Sequence, residues 1–158
     1  MNAFSIRTAT VTDAPAVSQL ITGLAHAFTL NPDGSGAERF LESITPAAIA
    51  GFIANPDFRY LVAERGGARA GAAALREGRH LYHLFVAPAF QRRGVAARLW
   101  QALRAGTPAQ AFTVNSTPVA VPVYERFGFV ATGPQVSMNG IVFVPMRLET
   151  AGFESPAA

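Results

Sequence analysis

Cysteine is missing from all 158 residues, which excludes both a disulfide framework and thiolate metal ligation. Lysine is missing too. All 13 basic residues are arginine, set against 10 acidic ones, for a formal net charge of +3. That balance raises the question of a nucleic-acid partner, yet the arginines are scattered and only Arg92 and Arg93 are adjacent. A local anionic ligand is expected instead, and no nucleic acid. No apolar run reaches the roughly 18 residues that span a bilayer, so no membrane is expected. The opening MNAFSIRTATVTD lacks the charged head and apolar body of a signal peptide, which favours a cytoplasmic location. The histidines and carboxylates show no metal-ligand spacing, so no metal is expected, and no Ser-His-Asp nucleophile pattern is visible. Charge is sparse at 15%, while 50% of residues are hydrophobic, which excludes a disordered chain. One domain over residues 1–149 with a C-terminal tail, 150–158, is the expected organisation.

What is present centres on HLYHLFVAPAFQRRGVAARLWQALRA, residues 80–105. The aromatic and aliphatic run His80 to Val86 reads as a strand, stopped by Ala87-Pro88-Ala89. Val95, Leu99 and Leu103 recur at helical spacing beside Trp100, predicting a helix from about Gly94 to Arg104. Gly94 permits a sharp turn and a close backbone approach to a ligand. The first N–H groups of the helix have no partner within it, and an anion there gains about 0.3–1 kcal/mol. Arg92 and Arg93 add positive charge. Together these residues describe a pyrophosphate cradle.

Residues 3–9 alternate as a first strand. Thr12 or Asp13 offers an N-cap, Pro15 suits the first turn, and Val17, Leu20, Ile21, Leu24 and Phe28 set a helix from about 14 to 28. His26 lies off that stripe at the helix end. Asn31 to Gly36 is a loop by composition. Thr45-Pro46 opens a short helix that ends at Asn55-Pro56. Strands Phe58 to Glu64 and Ala68 to Glu77 join at Gly66-Gly67 and lead into the strand from His80, forming a meander. Gln110 to Asn115 is a further strand. Ser116 or Thr117 caps a helix in which Pro122 implies a kink or a late start. Gln135 to Met138 and Ile141 to Leu148 flank the Asn139-Gly140 hairpin turn.

Gln91, Gly94 and Ala96 resemble the Q/R-x-x-G-x-G/A signature of the GCN5-related N-acetyltransferases, where the loop holds the pyrophosphate of acetyl-CoA. Tyr124-Glu125-Arg126-Phe127-Gly128-Phe129 resembles the Y-E-K/R-x-G-F end of that family's second motif. The resemblance covers nearly the whole chain. It implies an α/β (α+β) fold with a mixed, mostly antiparallel sheet of about seven strands flanked by about four helices. It further implies an acetyltransferase using acetyl-CoA as co-substrate and acting by direct attack of an amine. A small-molecule amine is the first expectation for the acceptor and a protein or peptide amine the second. A non-catalytic acyl-CoA-binding module is the rival reading, and a homodimer is the candidate assembly.

By this resemblance Tyr124 is the general acid that returns a proton to the departing thiolate. The expected cofactor contacts are Leu84, Phe85 and Val86 on the strand, with the backbone of Leu84 and Val86 binding the pantetheine arm. Gln91, Arg92, Arg93, Gly94, Val95 and Ala96 follow in the loop. At the usual family asparagine, seven residues before the tyrosine, stands Thr117, with Asn115 and Ser116 nearby as alternatives. Strand alternation puts His80, Tyr82, Leu84 and Val86 on one face and Leu81, His83 and Phe85 on the other. Histidine titrates near neutrality, so His80 is the candidate base and Tyr82 a candidate proton relay. His83 replaces His80 if a bulge shifts the register.

Overall fold

A computed structural model describes residues 4–25, 29–31, 33–105 and 107–150. His26, Phe28 and the tail from 151 lie outside these. One eight-stranded sheet runs in the order β1-β2-β3-β4-β5-β8-β6, with β7 paired to β8. The strands are β1 Ser5–Thr8, β2 Phe58–Arg65, β3 Ala68–Arg76, β4 His80–Val86, β5 Ala111–Ser116, β6 Val130–Ala131, β7 Val136–Met138 and β8 Ile141–Glu149. Every pairing is antiparallel except β4 with β5. The helices are α1 Ala14–Leu24, α2 Glu38–Glu42, α3 Pro46–Ala54, α4 Val95–Arg104 and α5 Val121–Arg126.

Two apolar layers hold the sheet. On one face α4 buries Val95, Leu99, Trp100 and Leu103, a stripe at the spacing read from the sequence. The Trp100 ring meets Phe112 edge-on at 5.0 Å, and Tyr124, Phe129 and Met146 complete that cluster. On the other face α1 and α3 bury Val17, Ile21 and Ile49 against Tyr60, Val62, Ala72 and Ala74. The small alanines of β3 let both helix layers approach closely. Thr45 caps α3 by accepting a hydrogen bond from the Ala48 amide at 3.2 Å.

The expected element order holds with two additions, α2 and the two-residue β6. Both are too short to leave a periodic signal. Within the described residues α1 extends only to Leu24. Pro122 produces a late start: Pro118–Ala120 is a 3-10 turn, capped by Thr117, and α5 begins after it. Asp13 does not cap α1 with its side chain. Its carboxylate turns back to the Thr10 amide at 2.8 Å and receives a fork from Arg7 at 2.8 and 2.9 Å. Arg69 adds a bond at 2.7 Å, and Arg7 also holds Glu64 at 2.9 Å. This ion network joins β1, β2 and β3 to the turn before α1.

Candidate active site

Strands β4 and β5 pair over only two rungs, His80 with Thr113 and Leu81 with Val114, and then part. Beyond the parting, no strand among the described residues pairs with this edge of β4. The Ala87 amide donates to Ala70 on β3, so by alternation the N–H and C=O groups of Leu84 and Val86 face away from β3 into the gap. The Gln91 side chain donates to the Val86 carbonyl at 3.0 Å and ties the following loop to the strand end.

The gap ends on the loop before α4. Gly94 sits at φ +79°, a left-handed conformation that suits glycine, and a Cβ there would meet open space. Arg92 also adopts positive φ, 67°. The first helical bond of α4 runs from the Arg98 amide to the Gly94 carbonyl. The amides of Arg92, Arg93, Gly94, Val95, Ala96 and Ala97 find no acceptor among the described residues. The exposed guanidinium groups of Arg92 and Arg93 flank them, and no acidic residue stands in the first turn. The arrangement is fitted to an anion with several oxygens.

One expectation for β4 needs correction. Ala74 pairs with His83 and Leu75 with Leu81, so Tyr82 is the extra residue of a β-bulge. The bulge interrupts alternation. Tyr82, His83 and Phe85 therefore lie on the α1/α3 face, while Leu81, Leu84 and Val86 pack toward α4. His80 and Tyr82 do share a face, with ring centroids 6.5 Å apart. Leu84 and Val86 do not share it, and Phe85 does.

His80 Nδ1 lies 2.7 Å from Thr113 Oγ1 on the last rung but one before the strands part. Burial, and then the Arg76 charge, lower its pKa to about 4, so the ring is neutral at pH 7. His83 is almost fully buried, with Nδ1 2.9 Å from the Tyr60 hydroxyl. Burial lowers its pKa to about 3. The bulge thus brings His83 to the right face but closes it in. The depression has a stability consequence. The unfolded chain binds the His83 proton near pH 6.5 and the folded chain does not, so stability is complete above pH 6.5 and falls as pH drops below it. Urea titrations at pH 7 and pH 5 are expected to differ by about 2 kcal/mol from this group, and His83→Gln is expected to reduce the total difference while leaving the share that comes from His80.

Tyr124 projects from α5 on the other side of the sheet. Its ring packs edge-on to Phe127 at 6.0 Å and Phe129 at 5.7 Å. Burial pushes its hydroxyl pKa up. No described residue bonds that hydroxyl, and among the described residues no buried side-chain polar atom lacks a partner, so the oxygen reaches the surface. Of the three alternatives near the end of β5, Thr117 is occupied in capping and the Ser116 hydroxyl donates to the Thr117 carbonyl at 2.7 Å. Asn115 is exposed and points to the α1/α3 face, opposite Pro145. The wall facing that surface was not legible in the sequence. Thr29 bridges to Ile141, and the Leu30 amide donates to the Gly140 carbonyl at 2.8 Å, which seats the hairpin turn against the loop before α2. A Cβ at Gly140 would collide with the backbone of Gly36 and Ala37.

Residues 28–150 match the family model described as the acetyltransferase (GNAT) domain. No curated protein matches the sequence. Among solved structures, the PaiA N-acetyltransferase of Thermoplasma acidophilum in complex with coenzyme A superposes with a TM-score of 0.72 at 13% identity, over 93% of this chain and 99% of that one. A GCN5-related N-acetyltransferase from Rhodopseudomonas palustris gives 0.67 at 20% identity, over 94% and 97%. The yncA protein of Salmonella typhimurium, solved with acetyl-CoA, gives 0.64 at 19% identity, over 94% of each chain. At these identities the structures testify to the fold, and the domain match carries the assignment. Parted central strands, an amide-lined loop after β4 and a match over most of the sequence agree: the chain belongs to the GNAT acetyltransferase family.

Proposed function

We propose that the protein transfers the acetyl group of acetyl-CoA to a primary amine of a small molecule, by direct attack of the amine on the thioester. The observation that carries this reading is the parting of β4 and β5 above the unpaired amides from Arg92 to Ala97. In this reading the pyrophosphate occupies that amide cradle beside Arg92 and Arg93. The pantetheine arm pairs with the free backbone edge at Leu84 and Val86, past Phe85, in place of a neighbouring strand. Gln91 holds the loop in place, and the small Ala96 leaves room over the helix end. Asn115, rather than Thr117, has a free side chain to meet the arm.

The amine nitrogen forms a bond to the thioester carbon, and the C–S bond breaks. One proton leaves the nitrogen and one reaches the sulfur. Freeing an alkyl amine of pKa near 10.4 at pH 7 costs about 4–5 kcal/mol. His80, neutral and backed by Thr113, accepts a hydrogen bond from the amine side with Tyr82 as relay. Its depressed pKa makes it a conduit to water rather than a store for the proton. Tyr124 stands on the opposite face of the sheet and donates to the sulfur as negative charge develops there. Its raised pKa keeps the proton in place until then.

Gly94→Val tests the cradle. A β-branched residue at φ +79° is strained, and its side chain enters the space assigned to phosphate oxygens. Acetyl-CoA affinity measured by calorimetry is expected to fall by about tenfold or more, with the fold retained by circular dichroism. Unchanged affinity would remove the cradle from the account.

A further inference from the structure

The α1/α3 face of the central sheet carries a row of side chains directly opposite one another. Arg76 pairs with His80, His80 with Thr113, and Thr113 with Arg147, and directly paired residues project on the same side. The row crosses β3, β4, β5 and β8. It lies on the rung next to the last before the strands part. Asn115 stands two residues further along β5 on the same face, about 7 Å away by strand rise. A cavity of about 500 Å³ opens at the foot of the row, lined by Arg79, Thr113, Arg147 and Glu77 among others. Arg79 has no side-chain partner among the described residues. Arg147 is held only by Glu149, at 2.8 Å on an exposed rim where such a pair is weak.

Several carboxylates lie near this face, and of these Glu77 and Glu42 have no side-chain partner among the described residues. Glu149 is bound to Arg147, and Glu77 sits on the cavity rim. In the loop before α2, Asp33 accepts from the Ser35 amide, and Glu38 at the start of α2 accepts from the Gly36 amide. Of the helices packed on this face, α1 and α3 have no charged residue in their sequences APAVSQLITGL and PAAIAGFIA, and α2 carries Glu38, Arg39 and Glu42. Beside the row the surface turns aromatic. The half-buried Tyr82 ring contacts Phe52 at 5.2 Å and Phe58 at 5.3 Å, with the Arg76 guanidinium 5.6 Å over it.

Resting on the acetyltransferase reading above, we infer that the acceptor amine also carries a carboxylate and an apolar group, as an amino acid with an aromatic side chain does. The carboxylate docks on Arg147 and Thr113, the apolar group lies toward Tyr82 and Phe52, and the amine reaches the parting of the strands beside His80 and Asn115. A polyamine or aminoglycoside would bring several ammonium groups to a surface where Arg76, Arg79 and Arg147 repel them and Glu77 and Glu149 are the carboxylates at hand.

The experiment compares phenylalanine, phenylalaninamide, phenethylamine and spermidine as acceptors, with wild type, Arg147→Gln and Glu149→Gln. Wild type is expected to use phenylalanine with a kcat/KM at least about tenfold above the amide and the decarboxylated amine. Arg147→Gln is expected to raise KM for phenylalanine by about tenfold with kcat nearly unchanged, and to leave phenethylamine unaffected. Glu149→Gln, which frees Arg147, is expected to leave that KM equal or lower. Faster turnover of phenethylamine or spermidine would overturn the inference while leaving the transferase reading intact. So would an equal effect of Arg147→Gln on all acceptors. If no acceptor supports CoA release, calorimetry of phenylalanine binding to the CoA-saturated protein decides. Binding that needs Arg147 keeps the carboxylate site and removes the transferase reading; its absence removes both.

Discussion

Tyr124→Phe is expected to lower kcat by about 100-fold or more while leaving acetyl-CoA affinity nearly unchanged. The phenol and phenylalanine rings fill the same space against Phe127 and Phe129. No described residue bonds the hydroxyl, so its removal strands no buried partner and costs the fold little. The thiolate then departs without the proposed donor at its developing charge. The loss should concentrate in kcat, because the hydroxyl strengthens its hydrogen bond only as the C–S bond breaks. A comparable rise in KM with kcat preserved would instead assign Tyr124 to ground-state binding. Rapid-quench kinetics on the two proteins separates these outcomes.

Asp13→Ala is expected to destabilise the fold by about 3 kcal/mol, measured by urea unfolding. The carboxylate is fully buried and receives bonds from Arg7, Arg69 and the Thr10 amide. Removing it leaves two guanidinium groups facing each other and an amide without an acceptor. The value falls at the low end for a broken buried pair because both arginines retain some water, with side chains 36% and 26% accessible. Asp13→Asn should cost less, since one oxygen still accepts. The pH dependence has a definite sign. The Arg7 hydrogen bond, outweighing burial, holds the Asp13 carboxyl well below the usual carboxylate range. Its contribution is therefore complete above about pH 4, where an unfolded aspartate is ionised, and is lost as pH falls further. This loss begins near the lower end of the window in which His83 acts. Acid unfolding should accordingly show a first decline below pH 6.5, from His83 and His80, and a second that sets in below pH 4 from Asp13. In Asp13→Ala the second limb should weaken and the first persist.

The sequence revealed the elements that depend on local chemistry. The Val95-Leu99-Leu103 stripe fixed α4, Gly94 its sharp entry, Thr117 the cap before α5, and Asn139-Gly140 the hairpin turn. The amide-lined loop was legible because it needs a particular glycine next to a helix start. What stayed hidden depends on pairing across distant strands. The Tyr82 bulge arises from the register of β4 against β3, and no residue type in HLYHLFV announces it. Its effect is large, since it moves Phe85 onto the candidate acceptor face and turns Leu84 and Val86 away. The left-handed Arg92 is similarly silent, because arginine carries no preference for that conformation. The cross-sheet row from Arg76 to Arg147 joins residues 71 positions apart, and the Asp13 network joins three strands and a turn. Side chains in such constellations look ordinary one at a time.

The most direct test of the account is CoA thiol release from acetyl-CoA by the wild-type protein across a panel of amines. The chain has no cysteine, so a thiol reagent meets no protein background. The account predicts release that depends on the amine, saturates with it, and matches N-acetylated product one for one. Tight acetyl-CoA binding with no amine-dependent release across amino acids, arylalkylamines, polyamines and peptides would contradict it, and would describe a protein that holds acetyl-CoA without transferring its acetyl group.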